Sequence, residues 1–226
     1  MFLYIAIIGD IKESKKIEDR NGVQERLKEV LNFINETYED DIASKFMITL
    51  GDEFQGLIFG GENVMNIIME IERKIYPIKI RFGVGIGAIT TYINSEMPLG
   101  ADGPAYYKAR SAINYLKKNE KRKQVIPSDI RIEIEGDNDN DNDNNMLLLN
   151  TILSLMNAIK EDWSSRQREV IWDMLEHQDN QLSAAKRLSI KQPSVQKSLV
   201  AGKYYAYKAA VSAIGNVLAE IRRKNV

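Results

Sequence analysis

Cysteine is absent from the 226-residue sequence, and histidine occurs once, at His177. Without cysteine the chain can form no disulfide, no thiolate zinc site and no cysteine nucleophile. A single histidine also excludes a histidine-rich metal centre. Any metal would therefore be bound by carboxylate and carbonyl oxygens, which favours magnesium, manganese or calcium.

The sequence also lacks an apolar run of the roughly 20 residues that would span a bilayer. The first residues carry no basic segment ahead of their apolar stretch, so no signal peptide is expected. Charged residues make up 28% of the chain and hydrophobic residues 44%, values typical of globular proteins. We therefore predict a cytoplasmic protein without a membrane partner, long enough for one large domain or two small ones.

Charge is divided unevenly along the chain. Residues 146–226 hold 12 basic and 7 acidic side chains, a net charge of +5, whereas residues 1–145 hold 19 and 25, a net charge of −6. Such an asymmetry suggests two modules with different partners. We predict domains at 1–136 and 146–226; the alternative for the second is a helical bundle with a solvated basic face.

Between these domains lies an acidic, asparagine-rich tract at 137–145, which we predict to be a linker or loop because it has little to bury. Its alternating aspartates resemble the start of a calcium-binding loop. That loop requires glycine at its sixth position and glutamate at its twelfth, where this chain has Asn142 and Leu148.

Hydrophobic periodicity predicts the order strand, helix, strand, strand, helix, strand, helix, strand for the first domain. A βαββαβ core in this order is typical of a ferredoxin-like α+β fold, with an antiparallel sheet covered by helices on one face. In the strand predicted at 78–89, glycines at alternate positions would allow a helix or a ligand to approach closely. The residues after Met146 are predicted to be all helical.

Two aspartates fall where predicted strands end. Asp10 follows a continuous apolar strand, and Asp52 lies in a Gly-Asp turn between two apolar runs, a strong hairpin signal. Carboxylates at neighbouring strand ends can hold a divalent cation beside phosphates. The alternative is that both aspartates only stabilise turns.

The segment 181–199 fits a helix-turn-helix pattern, with Ala185 where the helices would touch and Ser189 where glycine is commonest. Pro193 suits the first turn of the second helix. Polar and basic side chains of this segment could contact base edges and phosphates of DNA. The predicted DNA-binding residues are Lys186, Arg187, Lys191, Gln192, Ser194, Gln196 and Lys197.

Four blocks of sequence resemble the SatD family: 7–14, 48–57, 81–87 and 102–110. The C-terminal helices resemble the tail of that family as well, so the resemblance covers most of the chain. The resemblance implies no firmly assigned activity.

The order of these blocks is also similar to that of the class III nucleotidyl cyclases and the related GGDEF proteins. This similarity implies that Asp10, Asp52 and the main-chain carbonyl of Ile11 bind a metal, expected to be Mg²⁺ or Mn²⁺. It also implies that Glu53 matches the GGDEF glutamate and that Arg110 binds phosphate in the transition state. Glu53 and Arg110 would be the catalytic candidates if the protein is an enzyme.

The sequence departs from the cyclase pattern at the groups that orient the nucleotide. Ile48 stands where a cyclase has its purine-reading lysine, and Tyr106 stands where it has an asparagine. The hairpin has one glycine, Gly51, where GGDEF proteins have two. The metal pair and the arginine are thus present without the polar groups that read base and ribose.

Our main prediction is a dimeric, cytoplasmic DNA-binding transcription regulator whose cyclase-like domain senses a divalent cation with a nucleotide or another phosphorylated ligand. One alternative is a metal-dependent nucleotidyl cyclase or phosphotransfer enzyme with a helical oligomerisation tail. A further alternative is a degenerate scaffold without ligand.

Overall fold

The computed structural model describes residues 2–120, 122, 128–136 and 140–224. Within these residues, five strands and eight α-helices form in the predicted order, together with two short 3₁₀ turns. The strands are β1 Tyr4–Ile11, β2 Ile42–Leu50, β3 Glu53–Ile58, β4 Ile80–Gly87 and β5 Ile130–Ile134. The helices are α1 Arg20–Thr37, α2 Val64–Ile75, α3 Pro104–Asn119, α4 Asn140–Glu161, α5 Ser165–His177, α6 Gln181–Arg187, α7 Gln192–Ala201 and α8 Tyr204–Lys224.

The strands form one sheet in the order β2-β3-β1-β4-β5. The β2–β3, β3–β1 and β1–β4 pairs are antiparallel, which confirms the predicted α+β, ferredoxin-like class. The β4–β5 pair is parallel, because α3 forms a crossover between them and returns the chain to the same end of the sheet. The predicted order of strands along the chain is therefore confirmed, but the five-stranded sheet is not wholly antiparallel.

Helices α1 and α2 cover one face of the sheet, as predicted for the βαββαβ core, and α3 covers the other face. Alternate residues of β1 point to opposite sides, so Ile5 and Ile7 join the core formed with α1 and α2, while Ala6 and Ile8 face α3. A Cβ on Gly85 would lie 2.0 Å from the carbonyl oxygen of Ala105 in α3. The alternating glycines of β4 thus allow the close approach of a helix.

The C-terminal helices continue the core on the α1–α2 side of the sheet. Leu149 and Leu153 of α4, Trp163 and Leu218 are buried in the same cluster as the inner face of β1. The side-chain amide of Asn150 accepts a hydrogen bond from the Ile132 N–H and donates one to its carbonyl oxygen. The Asn150 side chain thereby satisfies the main-chain N–H and carbonyl oxygen of Ile132 at the outer edge of β5, where another strand would otherwise pair.

Helix α4 begins at Asn140, so residues 140–145 of the predicted linker are helical, and residues 137–139 lie outside the described residues. The hydrogen bonds of Asn150 hold this helix against β5. The composition of the tract does not show that its residues have such a packing partner. The division into domains at 1–136 and 146–226 stays a prediction. In the described part of the chain, no helix has both the length and the apolar character that crossing a bilayer demands.

Candidate functional site

The end of β1 and the start of β3 bring four predicted site residues to one edge of the sheet. Asp10 lies opposite Glu53 in the antiparallel register. The Ile11 N–H donates to the main-chain oxygen of Asp52 over 3.0 Å, which closes the hairpin tip against the end of β1. Gly51 adopts a left-handed conformation (φ 57°) that suits glycine in this turn. Strand pairing and the closed hairpin tip therefore bring Asp10, Ile11, Asp52 and Glu53 together at this end of the sheet.

Asp10 is only 4% exposed, and its carboxylate pairs with two cationic side chains. Its Oδ2 accepts from Arg81 at 2.6 Å, and its Oδ1 lies 2.6 Å from the Lys117 ammonium. A buried carboxylate needs such compensation, because an unpaired charge out of water is costly. Lys117 is less constrained than Arg81, since 44% of its side chain is exposed against 10% for Arg81.

Glu53 is paired with Arg110, the predicted phosphate-binding residue. Two guanidinium nitrogens of Arg110 contact the two carboxylate oxygens of Glu53, one of them at 2.6 Å, in a bidentate arrangement. Hydrogen bonding to Glu53 raises the pKa of Arg110, against the opposing effect of burial. Because 42% of the Arg110 side chain remains exposed, Glu53 fixes the guanidinium while leaving part of it open to solvent.

Asp52 has a different partner, the hydroxyl of Ser14, which donates to its Oδ2. Ser14 begins the short 3₁₀ turn that follows β1. Within the described ranges no cation forms an ion pair with Asp52. Of the predicted metal-binding carboxylates, Asp10 is thus neutralised by the protein and Asp52 is not.

A second layer of charges extends from Asp10 towards the end of α3. Arg81 also donates to Glu120, and Glu120 lies 3.1 Å from the Lys12 ammonium, which in turn binds Asp129. Burial alone would lower the pKa of Arg81, but Glu120 and Asp10 outweigh it and raise that pKa. Burial alone would raise the pKa of Glu120, but hydrogen bonds from Arg81 and Lys12 lower it.

Arg81 and Lys117 were missed by the sequence analysis. Lys117 follows Arg110 by two helical turns, so the helical period could have placed both on the face of α3 that meets the carboxylates. Arg81 lies opposite Asp10 on β4, a register that becomes visible only once the strands are paired.

The oxygen donors at this edge suit Mg²⁺ or Mn²⁺. No cluster of three acidic or histidine side chains with metal-binding geometry occurs in the part of the chain that the structure describes. Mg²⁺ is commonly held by one or two carboxylates and completed by water and substrate phosphates. The carboxylates of Asp10 and Asp52 with the carbonyl of Ile11 would fit that pattern for a metal that arrives with a phosphorylated ligand.

Two of the departures from the cyclase pattern, Ile48 and Tyr106, are packing positions. Ile48 is partly buried against the main core. Tyr106 is 7% exposed and packs between α3 and the sheet; among the described residues its hydroxyl has no hydrogen-bond partner, and burial raises its pKa. Neither side chain supplies a polar group to the carboxylate edge.

The predicted DNA-binding residues lie on α6, on α7 and in the turn between them. Ser189 in this turn adopts the left-handed backbone conformation (φ 52°). Arg187 is held by Asp173 and Asp179, and these carboxylates raise its pKa. Gln192 donates to Gln181, which in turn donates to Gln196. Gln192 and Gln196 of α7 are therefore both bound to Gln181 of α6, and Arg187 is neutralised. Lys186, Lys191, Ser194 and Lys197 belong to the exposed or partly exposed surface of these two helices and their turn.

Comparison with solved structures returned nucleotidyl cyclases. A bacterial light-regulated adenylyl cyclase aligns at 12% identity over 58% of this chain and 75% of its own, with a TM-score of 0.44. The catalytic core of a rhodopsin-guanylyl cyclase with converted specificity, in complex with ATPαS, aligns at 16% identity over 48% and 70%, with a TM-score of 0.36. No curated protein sequence matches.

The main prediction, a DNA-binding regulator, is wrong. The structures that match are described as cyclases, and the compared proteins give no support for DNA binding. A helix-turn-helix pattern in a sequence indicates two packed helices joined by a turn. It did not predict DNA binding here, because helices that pack without binding DNA can have the same spacing.

The SatD family model matches residues 4–213, so the chain belongs to the SatD family.

Proposed function

We propose that this protein is a metal-dependent enzyme that transfers the nucleotidyl group of a nucleoside triphosphate, with cyclisation or transfer to another hydroxyl as the product-forming step. The observation that carries the proposal is the meeting of Asp10 and Asp52 at one sheet edge, opposite two cations of α3, Arg110 and Lys117. Carboxylates for a metal and cations for phosphates are the two requirements of this chemistry.

Asp10, Asp52 and the carbonyl of Ile11 would hold Mg²⁺ or Mn²⁺. When bound, such an ion lowers the pKa of the attacking hydroxyl and neutralises charge on the phosphates. Asp10 lies on β1, and Asp52 lies in the hairpin turn that the Ile11 N–H closes against the end of β1, so the backbone already places both residues at one end of the sheet before the substrate arrives.

Arg110 and Lys117 would bind the phosphates. Glu53 orients Arg110 through two contacts, and the exposed part of the guanidinium can donate to phosphate oxygens as negative charge moves towards the leaving pyrophosphate. With a metal ion bound to the Asp10 carboxylate, the Lys117 ammonium would contact a phosphate oxygen in place of Asp10. In this scheme α3 supplies the cations and the sheet supplies the carboxylates.

Base selection is expected to be weak at this edge. Ile48 and Tyr106 pack into the protein and offer no polar group where cyclases read the purine and ribose. Recognition would rest on the triphosphate and the metal, which all nucleoside triphosphates share. We therefore expect several nucleotides to be substrates with similar rates.

The C-terminal helices would serve as an oligomerisation tail, consistent with a homodimer. Leu148 and Leu155 lie two turns apart on α4 and are 61% and 53% exposed. Light scattering of a Leu148→Glu, Leu155→Glu variant should show a smaller species than the native chain if this face joins two copies. An unchanged mass would exclude this face.

The test is pyrophosphate release by purified protein with Mn²⁺ and each of the four common ribonucleoside triphosphates. Asp10→Asn and Asp52→Asn should each reduce the rate by about 100-fold or more, because a carboxylate that binds the metal is lost. Asp40→Asn, at an exposed position away from this edge, is the matched control. The proposal fails if no nucleotide is turned over, or if Asp10→Asn is as active as Asp40→Asn.

A further inference from the structure

A cavity of about 370 Å³ lies between the end of α3, β5 and α4. It is at the same end of the sheet as Asp10 but on the far side of Arg81, which contributes to its wall. Its volume is in the range of small-molecule sites. The lining residues that matter for recognition are Lys12, Arg81, Tyr115, Glu120, Ile130 and Arg131.

Three cationic side chains line this cavity, and each is already paired with a carboxylate for which an anionic ligand would have to compete. Lys12, Arg81 and Arg131 are cationic, and Glu120 is the single carboxylate that lines the cavity in the described ranges. Arg81 is 8% exposed, and its Nε has no hydrogen-bond acceptor among the described residues. An anion that displaced Glu120 from Arg81 would find a guanidinium that still has one donor without an acceptor among the described residues.

The apolar part of the lining favours a planar molecule. The Arg131 guanidinium carbon lies 3.5 Å from the centroid of the Tyr115 ring, so the two flat groups are stacked at the cavity wall. Leu116 and Ile130 add aliphatic surface. Polar groups are few on that side, because the hydroxyls of Thr151 and Ser154 are bound to main-chain oxygens of α4.

We propose that this cavity binds a small molecule with a planar apolar body and one anionic group, which contacts Lys12 and Arg81. The site is distinct from the carboxylate edge and does not depend on the nucleotidyl-transfer proposal. Because Arg81 binds both Glu120 and Asp10, a ligand that competes with Glu120 for Arg81 would also alter the charge balance around Asp10.

Titration with 1-anilinonaphthalene-8-sulfonate, a planar sulfonate whose fluorescence rises in apolar sites, tests the proposal without metal or nucleotide. The native chain should bind one equivalent saturably. Ser154→Phe would fill the cavity and should weaken binding about tenfold or more. Ser194→Phe, the same change at an exposed position of α7, is the matched control and should bind like the native chain.

Equal binding by Ser154→Phe and Ser194→Phe would overturn the site, because the probe would then be held elsewhere. Equal binding of the uncharged analogue N-phenyl-1-naphthylamine would overturn the anionic requirement. Circular dichroism reports whether Ser154→Phe is folded; if it is not, Thr151→Phe, at an exposed position on the cavity rim, replaces it with the same expected loss. Retained pyrophosphate release in a variant that has lost probe binding would separate this site from the proposed active site.

Discussion

At the scale of single residues, the candidate site is defined by how each carboxylate is balanced. Asp10 has two cationic partners and Glu53 has one, whereas Asp52 has a hydroxyl. A metal ion would therefore meet least competition at Asp52 and would have to replace Lys117 at Asp10. In the proposed function, the Lys117 ammonium would compete with a metal ion for Oδ1 of Asp10.

Lys117→Met should consequently bind Mn²⁺ more tightly, by about fivefold if the partly exposed ion pair is worth about 1 kcal/mol. Calorimetric titration with Mn²⁺ alone measures this. Lys118→Met removes a neighbouring exposed lysine and should leave the affinity unchanged. Weaker Mn²⁺ binding by Lys117→Met would show that Lys117 does not compete for Asp10.

Glu120 predicts a pH dependence of stability. Its folded-state pKa lies below its ordinary value, so its contribution is present above about pH 4.3 and is lost as the pH falls through the lower, folded-state pKa. Below about pH 4.3 the free energy of unfolding should therefore fall less steeply in Glu120→Gln than in the native chain. Urea titrations from pH 6 to pH 3 measure the slopes.

Glu29→Gln, at an exposed position of α1, is the control for general loss of charge. If Glu120→Gln and the native chain show the same acid dependence, the interactions of Glu120 with Arg81 and Lys12 do not contribute to stability.

At the scale of elements, periodicity and turn chemistry predicted every strand and helix of the sheet domain in the right order. The direction of the β4–β5 pair could not be predicted, because the parallel pairing and the position of α3 on the opposite face follow from how the whole chain folds back. The contact of Arg81 with Asp10 could not be predicted for the same reason, since the distance between them depends on strand register. The carboxylates were accessible to sequence reasoning because both mark turns at strand ends.

Ser189 offers a test of the turn between α6 and α7. A non-glycine residue in the left-handed region costs about 1–2 kcal/mol, more than the entropy that glycine adds to the unfolded chain. Ser189→Gly should therefore raise the free energy of unfolding by about 0.5–1 kcal/mol. Ser194→Gly, within α7, should lower it. Destabilisation by Ser189→Gly would contradict the left-handed turn.

At the scale of the whole molecule, buried polar pairs bind the helical half to the sheet half. Lys160 of α4 lies 2.5 Å from Glu72 of α2, and both side chains are almost fully buried. Burial alone would lower the pKa of Lys160, but Glu72 outweighs it and raises that pKa. Burial also raises the pKa of the neighbouring Tyr207 hydroxyl to about 12.

Lys160→Met should destabilise the chain by about 3 kcal/mol, because Glu72 would lose the partner of a buried charge. Lys79→Met, which removes the more exposed pair with Glu161, should cost about 1 kcal/mol or less. Chemical denaturation followed by fluorescence and circular dichroism should give one coincident transition in the native chain, since one core spans both halves. Two separate transitions would show that the halves unfold independently.

The hydrogen bonds of Asn150 to Ile132 have a consequence for assembly. On the opposite edge of the sheet, Lys45 of β2 donates its N–H to the main-chain oxygen of Ser95. A side chain at one margin and a loop at the other thus occupy backbone groups that a second molecule would need for strand addition. Copies of this protein that associate are expected to meet through side chains on their helices, and a continuous intermolecular sheet, the route to ordered aggregates, is disfavoured at both margins.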